Sequence, residues 1–417
     1  MTRQGLTTQL VHLDRKNSSI EHGAVHSPTT NSVLFEYKNA QDIIDVFQGK
    51  KPGHVYSRSS SPSVSALQEM LCRLEKGAGA LCFATGMGAI SSTLLALLKQ
   101  GDHIIVSRYL FGNTRSFMGT LESFGIHISY VDVTRLTEVI DAYQPNTRAV
   151  FCETIANPVT QVADVQSIGR YCKERDILFI LDNTMTPSII FDAKAMNVSL
   201  VLSSLTKYLS GHGNVLGGAV IDTGNYDWQH YPNIQQQYKV GDPIQWGLTQ
   251  IKKKGLRDLG ATLAPQSAHA ISIGLETLAL RIQKSCDNAL KLATFLDNHE
   301  KIKNVFYPGL SHHPQHFLAR EHFPQGYGAI LSITLGEGID LVEFLNALDL
   351  VICATHLGDN RTLALPVAAT IYAENSADER KLMGIDDNMV RLSVGIEDID
   401  DLVNDFSQAL NKFNLPE

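Results

Sequence analysis

The sequence has little of what marks a secreted or membrane-bound protein. Its six cysteines, at positions 72, 82, 152, 172, 286 and 353, are scattered and form no C-x-x-C pair, which predicts buried, reduced thiols and not a disulfide framework. No apolar run is long enough to span a bilayer, and residues 1–5 lack the apolar core of a signal peptide. We therefore expect a cytoplasmic protein without a membrane partner.

An excess of positive charge and a clear metal-ligand spacing are also missing. The 417 residues carry a formal net charge of -8, so nucleic acid is not an expected partner. Three histidines, His312, His313 and His316, lie close together, but they flank Pro314 in a predicted surface loop. We interpret them as solvated side chains and expect no bound metal.

The composition and length are those of a globular protein with two domains. Hydrophobic residues make up 44% of the chain and charged residues 19%, which is ordinary for such proteins. Residues 1–60 are polar and aperiodic, and so long an irregular arm indicates packing against a neighbouring subunit. After this arm we expect an α/β domain over residues 61–255 and a smaller α+β domain over residues 256–417.

Apolar runs alternate with helical stretches through the predicted α/β domain. Helices fit between most of these runs, for example at 89–99, 115–124 and 165–175. The pattern predicts a mostly parallel sheet of seven strands flanked by helices. The predicted strands are 80–84, 103–107, 127–131, 148–153, 177–182, 198–203 and 218–221. Because ligands of such sheets bind at the carboxyl ends of the strands, the polar residues that follow these runs are candidate site residues. They are Thr85-Gly86, Glu153 with Asn157-Pro158, Asp182-Asn183-Thr184 and residues 204–207.

The pattern changes in the second half of the chain. Residues 223–255 interrupt it and predict an irregular or helical insertion, and helical periodicity resumes over 268–296. Predicted strands at 328–334, 351–354 and 390–394, with a helix at 338–348, complete the α+β domain.

The most informative position is Lys207, just past a predicted buried strand and beside the hydroxyls of Ser204 and Thr206. Burial lowers the pKa of a lysine, so that its free amine can form a Schiff base with a carbonyl compound. For this position taken alone, the alternative is a strand-end lysine that extends its amine to solvent.

A second candidate site is the sequence Thr85-Gly86-Met87, between a predicted strand and a helix. Glycine there lets the amides of a helix N-terminus approach a phosphate. Simple helix capping is the alternative. A full dinucleotide fingerprint would need a third glycine where Ser91 stands.

Two charged residues stand in otherwise apolar strands. Asp182 ends one strand and could keep a cofactor's ring nitrogen protonated, or cap the next turn. Arg391 lies inside another and could bind a carboxylate in a bidentate manner, or form an internal salt bridge. With Lys207 and Gly86, these residues together indicate pyridoxal phosphate (PLP) and an amino-acid substrate.

These motifs resemble the Cys/Met-metabolism family of PLP enzymes, which includes cystathionine lyases and synthases, methionine γ-lyases and homoserine-ester sulfhydrylases. The resemblance extends from about residue 20 to 410. Its matches are Tyr56-Ser57-Arg58, Thr85-Gly86-Met87, Gly101-Asp102-His103, Asn157-Pro158, Asp182-Asn183-Thr184, Ser204-Leu205-Thr206-Lys207-Tyr208, Gly274-Leu275-Glu276-Thr277-Leu278 and Arg391-Leu392-Ser393-Val394-Gly395.

The resemblance implies a fold-type I PLP enzyme that assembles as a homotetramer of active dimers. In such an enzyme Lys207 holds PLP as a Schiff base, Asp182 pairs with the pyridine nitrogen and Arg391 binds the substrate carboxylate. The further implied cofactor-binding residues are Thr85, Gly86, Met87, Phe111, Asn157, Thr184, Ser204 and Thr206, with Tyr56 and Arg58 from the neighbouring subunit.

This chain departs from the family pattern at three places. Phe111 replaces the tyrosine that stacks on the cofactor, so the stacking is retained and the phenol is lost. His356 replaces the serine near the substrate carboxylate, which makes it a candidate substrate-binding residue. The usual Asn-Pro-Thr after the Tyr-x-Arg motif is Ser61-Pro62-Ser63.

From the resemblance we expect a PLP-dependent carbon–sulfur lyase of trans-sulfuration, acting by β- or γ-elimination on cystathionine. The alternative within the family is an O-acyl-homoserine sulfhydrylase or a cystathionine γ-synthase. Outside it, the alternatives are a PLP-binding protein without lyase activity and a dinucleotide-binding α/β protein.

Overall fold

Strands and helices alternate along the chain of the computed structural model, which describes residues 5–13 and 23–414. The helices are α1 (Leu6–His12), α2 (Ala40–Phe47), α3 (Pro62–Leu74), α4 (Gly86–Leu97), α5 (Gly112–Ser123), α6 (Leu136–Asp141), α7 (Val165–Glu174), α8 (Trp246–Gln250), α9 (Pro265–Glu276), α10 (Leu278–Asp297), α11 (His316–His322), α12 (Leu341–Asn346), α13 (Ala377–Leu382) and α14 (Ile399–Leu410).

The strands fall into two sheets. Those of the first are β1 (Gly79–Phe83), β2 (His103–Ser107), β3 (His127–Val131), β4 (Thr147–Glu153), β5 (Leu178–Asp182), β6 (Leu200–Ser203) and β7 (Gly218–Asp222). Those of the second are β8 (Ile302–Phe306), β9 (Ile330–Leu335), β10 (Ile352–Cys353), β11 (Leu363–Pro366) and β12 (Met389–Ser393).

The first sheet has the strand order β1-β7-β6-β5-β4-β2-β3 among the described residues. Only β7 runs against its neighbours there. The carboxyl ends of the other strands therefore meet at one edge of the sheet, which becomes the edge of interest for ligand binding. The predicted mostly parallel α/β sheet is confirmed, and each predicted strand is present with its ends within two residues.

Both faces of the central part of this sheet are buried, which explains why its central strands are mostly apolar. In β5, Phe179 and Leu181 belong to the core on one face, whereas Leu178 and Ile180 belong to the core on the other. All four side chains are fully buried. Burial of each stabilises the fold by about 1.5–3 kcal/mol relative to leaving it exposed.

The second sheet has the order β10-β11-β12-β9-β8 within the described part of the chain. Its β9 and β12 match two of the predicted strands, and β10 is shorter than predicted. The sequence did not predict β8 or β11. In β8 the residues Lys303 and Asn304 obscure the apolar pattern, and β11 ends in a proline within a turn-rich stretch.

The N-terminal arm is more regular than its composition suggests. It contains α1, whose Leu10 is buried, and the amphipathic helix α2, whose Ile44 and Phe47 are exposed. The prediction of an aperiodic arm is wrong for these two helices, which are too short for a clear periodicity. Residues 1–4 and 14–22 of the predicted arm lie outside the described residues. Its contact with a neighbouring subunit stays a prediction.

Residues 223–255 form short helical turns that pack on the first sheet. Trp228 is fully buried, and its indole N–H donates to the Oδ2 atom of Asp222 over 2.7 Å. The segment continues through α8 into a π-helical stretch, Ile251–Arg257, that lies against α4. The insertion thus belongs to the core of the first domain. The predicted domain limits themselves stay a prediction.

Two expectations about single side chains need correction. Cys353 is exposed at the edge strand β10 and Cys72 is half-buried, so only the other four thiols are buried. His313 is also buried and not solvated; its Nε2 atom lies 3.3 Å from the Thr160 hydroxyl, and burial lowers its pKa to about 4.

The described residues contain no group of three His, Cys, Asp or Glu side chains that could hold a metal ion. None of the helices in this part of the chain combines the length and the apolar character needed to cross a membrane.

Candidate active site

A cavity of about 320 Å³ lies at the carboxyl edge of the first sheet. Such a volume is at the lower end of the range typical of small-molecule sites. The structure brings eleven of the predicted site residues together around it: Thr85, Gly86, Met87, Phe111, Asn157, Asp182, Thr184, Ser204, Thr206, Lys207 and Arg391.

One wall of the cavity is the N-terminus of α4. Thr85 caps this helix, because its hydroxyl oxygen accepts a hydrogen bond from the Gly88 amide over 2.9 Å. A side chain at position 86 would come within 2.9 Å of the Ser204 Cβ atom, so glycine permits the close approach. The first-turn amides of Gly86 and Met87 have no acceptor within the helix and carry the positive end of its dipole. This wall suits a phosphate group, and Thr85 shows that the capping alternative applies as well.

Asp182 lies at the end of β5, half-buried because it faces the cavity. Its Oδ1 atom accepts a hydrogen bond from the Thr184 amide over 2.9 Å, and the Thr184 hydroxyl in turn accepts from the Ser204 amide over 2.8 Å. Desolvation raises the pKa of the Asp182 carboxyl. A cationic ring N–H would compensate this unfavourable burial, so the turn-capping role and the cofactor role are compatible.

Lys207 follows β6 and extends into the same cavity. Burial lowers the pKa of its amine to about 8, and the positive charge of Arg391 adds to the effect. Its Nζ atom lies 3.3 Å from the Nδ1 atom of His356. The solvent-directed alternative is therefore wrong for this lysine. Its amine can react as a nucleophile close to neutral pH.

Two further predicted residues, Thr206 and His356, differ from expectation in detail. The Thr206 hydroxyl donates to the Gly217 carbonyl over 3.2 Å and accepts from the Gly217 amide over 3.0 Å. Its predicted phosphate bond would compete with that contact. His356 contacts Lys207, and its neighbours Thr355 and Leu357 line the cavity.

Arg391 is 2% exposed and has no carboxylate partner among the described residues. Its Nη2 atom donates to the carbonyls of Thr355 and His356 over 3.0 Å each, and its Nη1 atom is 3.5 Å from Asn157 Oδ1. Its Nε atom is buried and has no partner there. The internal salt bridge is thus excluded for the described part of the chain. A guanidinium so arranged is suited to bind an incoming carboxylate.

Glu153 is a strand-end candidate from the sequence to which no role was assigned, whereas Tyr372 was not predicted and contacts the site through Asn157. Glu153 lines the cavity at the end of β4 and accepts a hydrogen bond from the Phe111 amide over 2.8 Å. Burial, with a contribution from Asp182, raises its pKa to about 8. The buried Tyr372 donates its hydroxyl proton to the Asn157 carbonyl over 2.9 Å. The position of Glu153 at a strand end indicated it, although not its role, whereas no local signal marks Tyr372.

Tyr56 and Arg58 are not brought to the cavity of their own chain. Both are exposed; Arg58 lies over the Tyr56 ring and donates to the Arg257 carbonyl over 2.9 Å. Their predicted contact with the cofactor phosphate of a neighbouring subunit is compatible with this exposure and stays a prediction.

The residues of the cavity fit PLP group by group. The α4 N-terminus and Ser204 supply donors for a phosphate, Asp182 an acceptor for a ring N–H, and Lys207 an amine for the aldehyde. Phe111 supplies an aromatic face at the wall of the same cavity.

Comparison with known proteins agrees with this fit. A family model described as Cys/Met metabolism PLP-dependent enzyme matches residues 7–411. An L-methionine gamma-lyase of Fusobacterium nucleatum subsp. nucleatum is 33% identical over 416 residues, which cover 99% of both proteins. An O-acetyl-L-homoserine sulfhydrylase 1 of Thermus thermophilus is 33% identical over 401 residues, or 92% of this chain and 94% of that protein.

A solved structure from Campylobacter jejuni, provisionally described as an O-acetylhomoserine (thiol)-lyase, has the same fold with a TM-score of 0.92. It is 30% identical, and the alignment covers 98% of this chain and 100% of that one. That structure carries N'-pyridoxyl-lysine-5'-monophosphate, so a lysine of that protein is covalently linked to the cofactor. The predicted fold-type I architecture and the PLP cofactor are thereby confirmed. This chain belongs to the Cys/Met-metabolism family of PLP-dependent enzymes.

Proposed function

We propose that this enzyme is a carbon–sulfur lyase that acts on a thioether L-amino acid. The observation that carries the proposal is that Lys207 and Arg391 line the same cavity. Among the described residues, Arg391 has no carboxylate partner. An α-amino acid presents a carboxylate for Arg391 and a Cα proton for Lys207. The pair therefore supports an amino-acid substrate held with its Cα atom beside the lysine.

In this proposal Arg391 binds the substrate carboxylate and fixes its orientation. Lys207, whose pKa is lowered to about 8 by burial and by Arg391, removes the Cα proton and later returns a proton to the product. PLP, when bound, supplies the electron sink that stabilises the carbanion at Cα. Asp182 keeps the ring nitrogen protonated and so maintains that sink.

The proposed overall reaction is an elimination followed by hydrolysis. The carbon–sulfur bond breaks and the sulfur leaves as a thiol, while water replaces the amine. The products are a 2-oxo acid, ammonium and the thiol. A thiolate is a good leaving group, so this reaction needs little help from the phenol that is absent at Phe111. One phenol near the site, that of Tyr372, already donates to a backbone carbonyl.

Apolar side chains of the cavity support a thioether substrate. Leu216, Leu357 and Ile371 line it together with the aromatic ring of Phe111, and such surfaces suit the sulfur and methylene groups of a thioether. Cystathionine stays the substrate predicted from the sequence. Methionine is the second thioether to test, since relatives with 33% and 34% identity are named L-methionine gamma-lyases.

The second candidate is a sulfhydrylase that uses an O-acylated homoserine. It is favoured by the similarity to the Thermus thermophilus sulfhydrylase and to the Campylobacter jejuni structure. Both reactions would use Lys207 and Arg391. They differ in whether sulfide attacks the γ-carbon of the substrate, as it would in a sulfhydrylase. A homotetrameric state and a cytoplasmic location stay part of the proposal.

The test is a comparison of substrates with the purified, PLP-loaded enzyme. We expect L-cystathionine or L-methionine to release pyruvate or 2-oxobutanoate, which also distinguishes β- from γ-elimination, and we expect Lys207→Ala to abolish this release. Homocysteine formed from O-acetyl- or O-succinylhomoserine plus sulfide, without 2-oxo acid from either thioether, would instead establish the sulfhydrylase.

A further inference from the structure

We propose that His356 is a positioning residue for Lys207, and that its Nδ1 atom accepts a hydrogen bond from the Lys207 amine. The sequence suggested a substrate contact for His356, because the family has serine there. The structure points to the lysine instead, because the two nitrogen atoms lie 3.3 Å apart.

The backbone around His356 is held firmly enough to fix this contact. The His356 carbonyl accepts from Arg391 Nη2 over 3.0 Å, and the Gly358 amide donates to the Ser393 hydroxyl over 2.8 Å. Gly358 has a φ of +72°, and a Cβ atom there would lie 2.6 Å from the Tyr208 amide nitrogen. Only glycine therefore lets this segment approach the backbone beside Lys207 so closely.

The protonation states define the direction of the hydrogen bond. Burial lowers the pKa of His356 to about 4, with further contributions from Lys207 and Arg391, whereas Asp359 acts in the opposite direction. The imidazole is therefore neutral near pH 7. With a pKa of about 8, Lys207 is mostly protonated there and can only donate. Nδ1 must then be the acceptor, and Nε2 carries the imidazole proton.

Asp182 and Glu153 line the same cavity, but within the described residues neither carboxylate forms a hydrogen bond or ion pair with Lys207. Arg391 and Arg361 are cations, and Asp359 is already paired with Arg361 over 2.7 and 2.9 Å. His356 Nε2 is buried and finds no partner among the described residues. Within the described residues, the contact with Lys207 is the one hydrogen bond that the His356 imidazole makes.

This contact gives His356 a role in the handling of protons by Lys207. A neutral acceptor stabilises the protonated form of the lysine and so opposes the effect of burial and of Arg391 on its pKa. It also holds Nζ at one position while the lysine carries a proton. The hydrogen bond to His356 transfers no proton, because the proton stays covalently bound to the Lys207 Nζ atom. The inference rests on the proposed function for the proton-carrying role of Lys207.

Three substitutions of His356 test its contact with Lys207, because they move or remove the hydrogen-bond acceptor. In His356→Asn the amide oxygen is attached to Cγ, as Nδ1 is, so it can accept from Lys207. In His356→Gln the acceptor lies one bond farther out, and His356→Leu has none. The substitution His312→Asn, at an exposed histidine, is the matched control.

The readout is the pKa of Lys207 in the full-length, cofactor-depleted protein, measured as the pH dependence of its acylation and assigned by mass spectrometry. We expect the leucine and glutamine variants to lower this pKa by about one pH unit, the size expected for one hydrogen bond to a charged group. At pH 7 their Lys207 should react roughly fivefold faster. The asparagine and control variants should match the wild type.

Kinetics of the PLP-loaded enzymes separate this role from substrate binding. We expect kcat to fall in the leucine and glutamine variants with KM within about twofold of the wild type. An unchanged Lys207 pKa in the leucine variant, or equal pKa values in all three variants, would overturn the proposal. A raised KM with an unchanged Lys207 pKa would show that His356 binds the substrate and does not position Lys207. The acylation assay needs no substrate, so it can fail independently of the proposed lyase activity.

Discussion

At the scale of single residues, this site is built from charges that the protein leaves without a full complement of partners. Arg391 is buried with its Nε atom unpaired, and Asp182 is desolvated although it accepts a backbone hydrogen bond. Each of these groups is costly in the cofactor-free chain, and in the proposed function a group of the cofactor or the substrate compensates each of them. The unfavourable burial therefore favours the ligand-bound state.

The first prediction concerns the guanidinium of Arg391. In Arg391→Lys a single ammonium replaces the planar pair of donors, and it cannot serve a carboxylate and the Thr355 and His356 carbonyls together. We expect a loss of about 2–3 kcal/mol in substrate binding, which is a rise in KM of roughly 30- to 150-fold.

Steady-state kinetics with the accepted thioether measure this effect. Arg320→Lys, at an exposed position of helix α11, is the control and should leave KM unchanged. A fall in kcat at constant KM would contradict the assignment of Arg391 to the carboxylate.

The second prediction concerns the pH dependence of cofactor uptake by Lys207. Burial, aided by Arg391, lowers the pKa of the amine from 10.5 to about 8. Only the free amine attacks the aldehyde, so the rate of PLP uptake should rise about tenfold per pH unit up to pH 8 and level off above it. Visible absorbance after mixing the cofactor-free protein with PLP measures the rate. A rise that continues to pH 10 would mean an unperturbed lysine.

At the scale of elements, the segment that carries Lys207 is fixed by a second buried cation. Arg281 of α10 is 7% exposed and donates to the carbonyls of Tyr208, Leu209 and Gly274 over 2.8, 3.3 and 2.7 Å. These bonds join the segment after β6 to the end of α9. The lysine is therefore held by contacts with elements far away in the sequence.

The third prediction follows from this connection. Arg281→Met leaves three buried carbonyls without their donor, and we expect the free energy of unfolding to fall by about 3 kcal/mol. Urea unfolding of the cofactor-free protein measures the change. Arg320→Met should change the same free energy by less than about 0.5 kcal/mol. A similarly small change for Arg281→Met would show that the segment is held by other contacts.

Elements were predictable where burial imposes a simple pattern. The strands of the first sheet are covered on both faces, so continuous apolar runs such as β5 identify them. β8 carries no such run, and the short run of β11 ends in a proline within a turn-rich stretch; pairing with β9 and β12 stabilises both as strands. In the same way, α2 is too short for periodicity to reveal it, although the side-chain oxygen of its cap residue Asn39 accepts a hydrogen bond from the Gln41 amide.

At the scale of the whole molecule, Tyr56 and Arg58 lie apart from the cavity of their own chain, and the family resemblance assigns them to the cavity of a neighbouring subunit. Both are exposed on the surface of their own chain. If they complete the site of a neighbouring subunit, each active site combines Lys207 of one chain with Arg58 of the other. This arrangement makes the enzyme active only as a dimer or larger assembly.

The fourth prediction tests this arrangement with mixed dimers. Lys207→Ala and Arg58→Ala chains, carrying different tags, are co-expressed and the hybrid is purified. A shared site leaves one intact site per hybrid, so we expect roughly half of the wild-type activity, far above either variant alone. A hybrid no more active than the average of the two variant enzymes would place Arg58 outside the neighbouring site.

The sequence by itself determined the α/β class, the cofactor and eleven of the residues that line the cavity. It could do so because buried strands and strand-end polar residues leave local patterns, and because the lysine and arginine motifs are specific to one family. Only the tertiary structure decided which of these groups touch each other. The 3.3 Å contact between Lys207 and His356, the burial of Glu153 and the unpaired Arg391 depend on residues up to 234 positions apart. Such distances are set by packing of the whole chain and leave no trace in the local sequence.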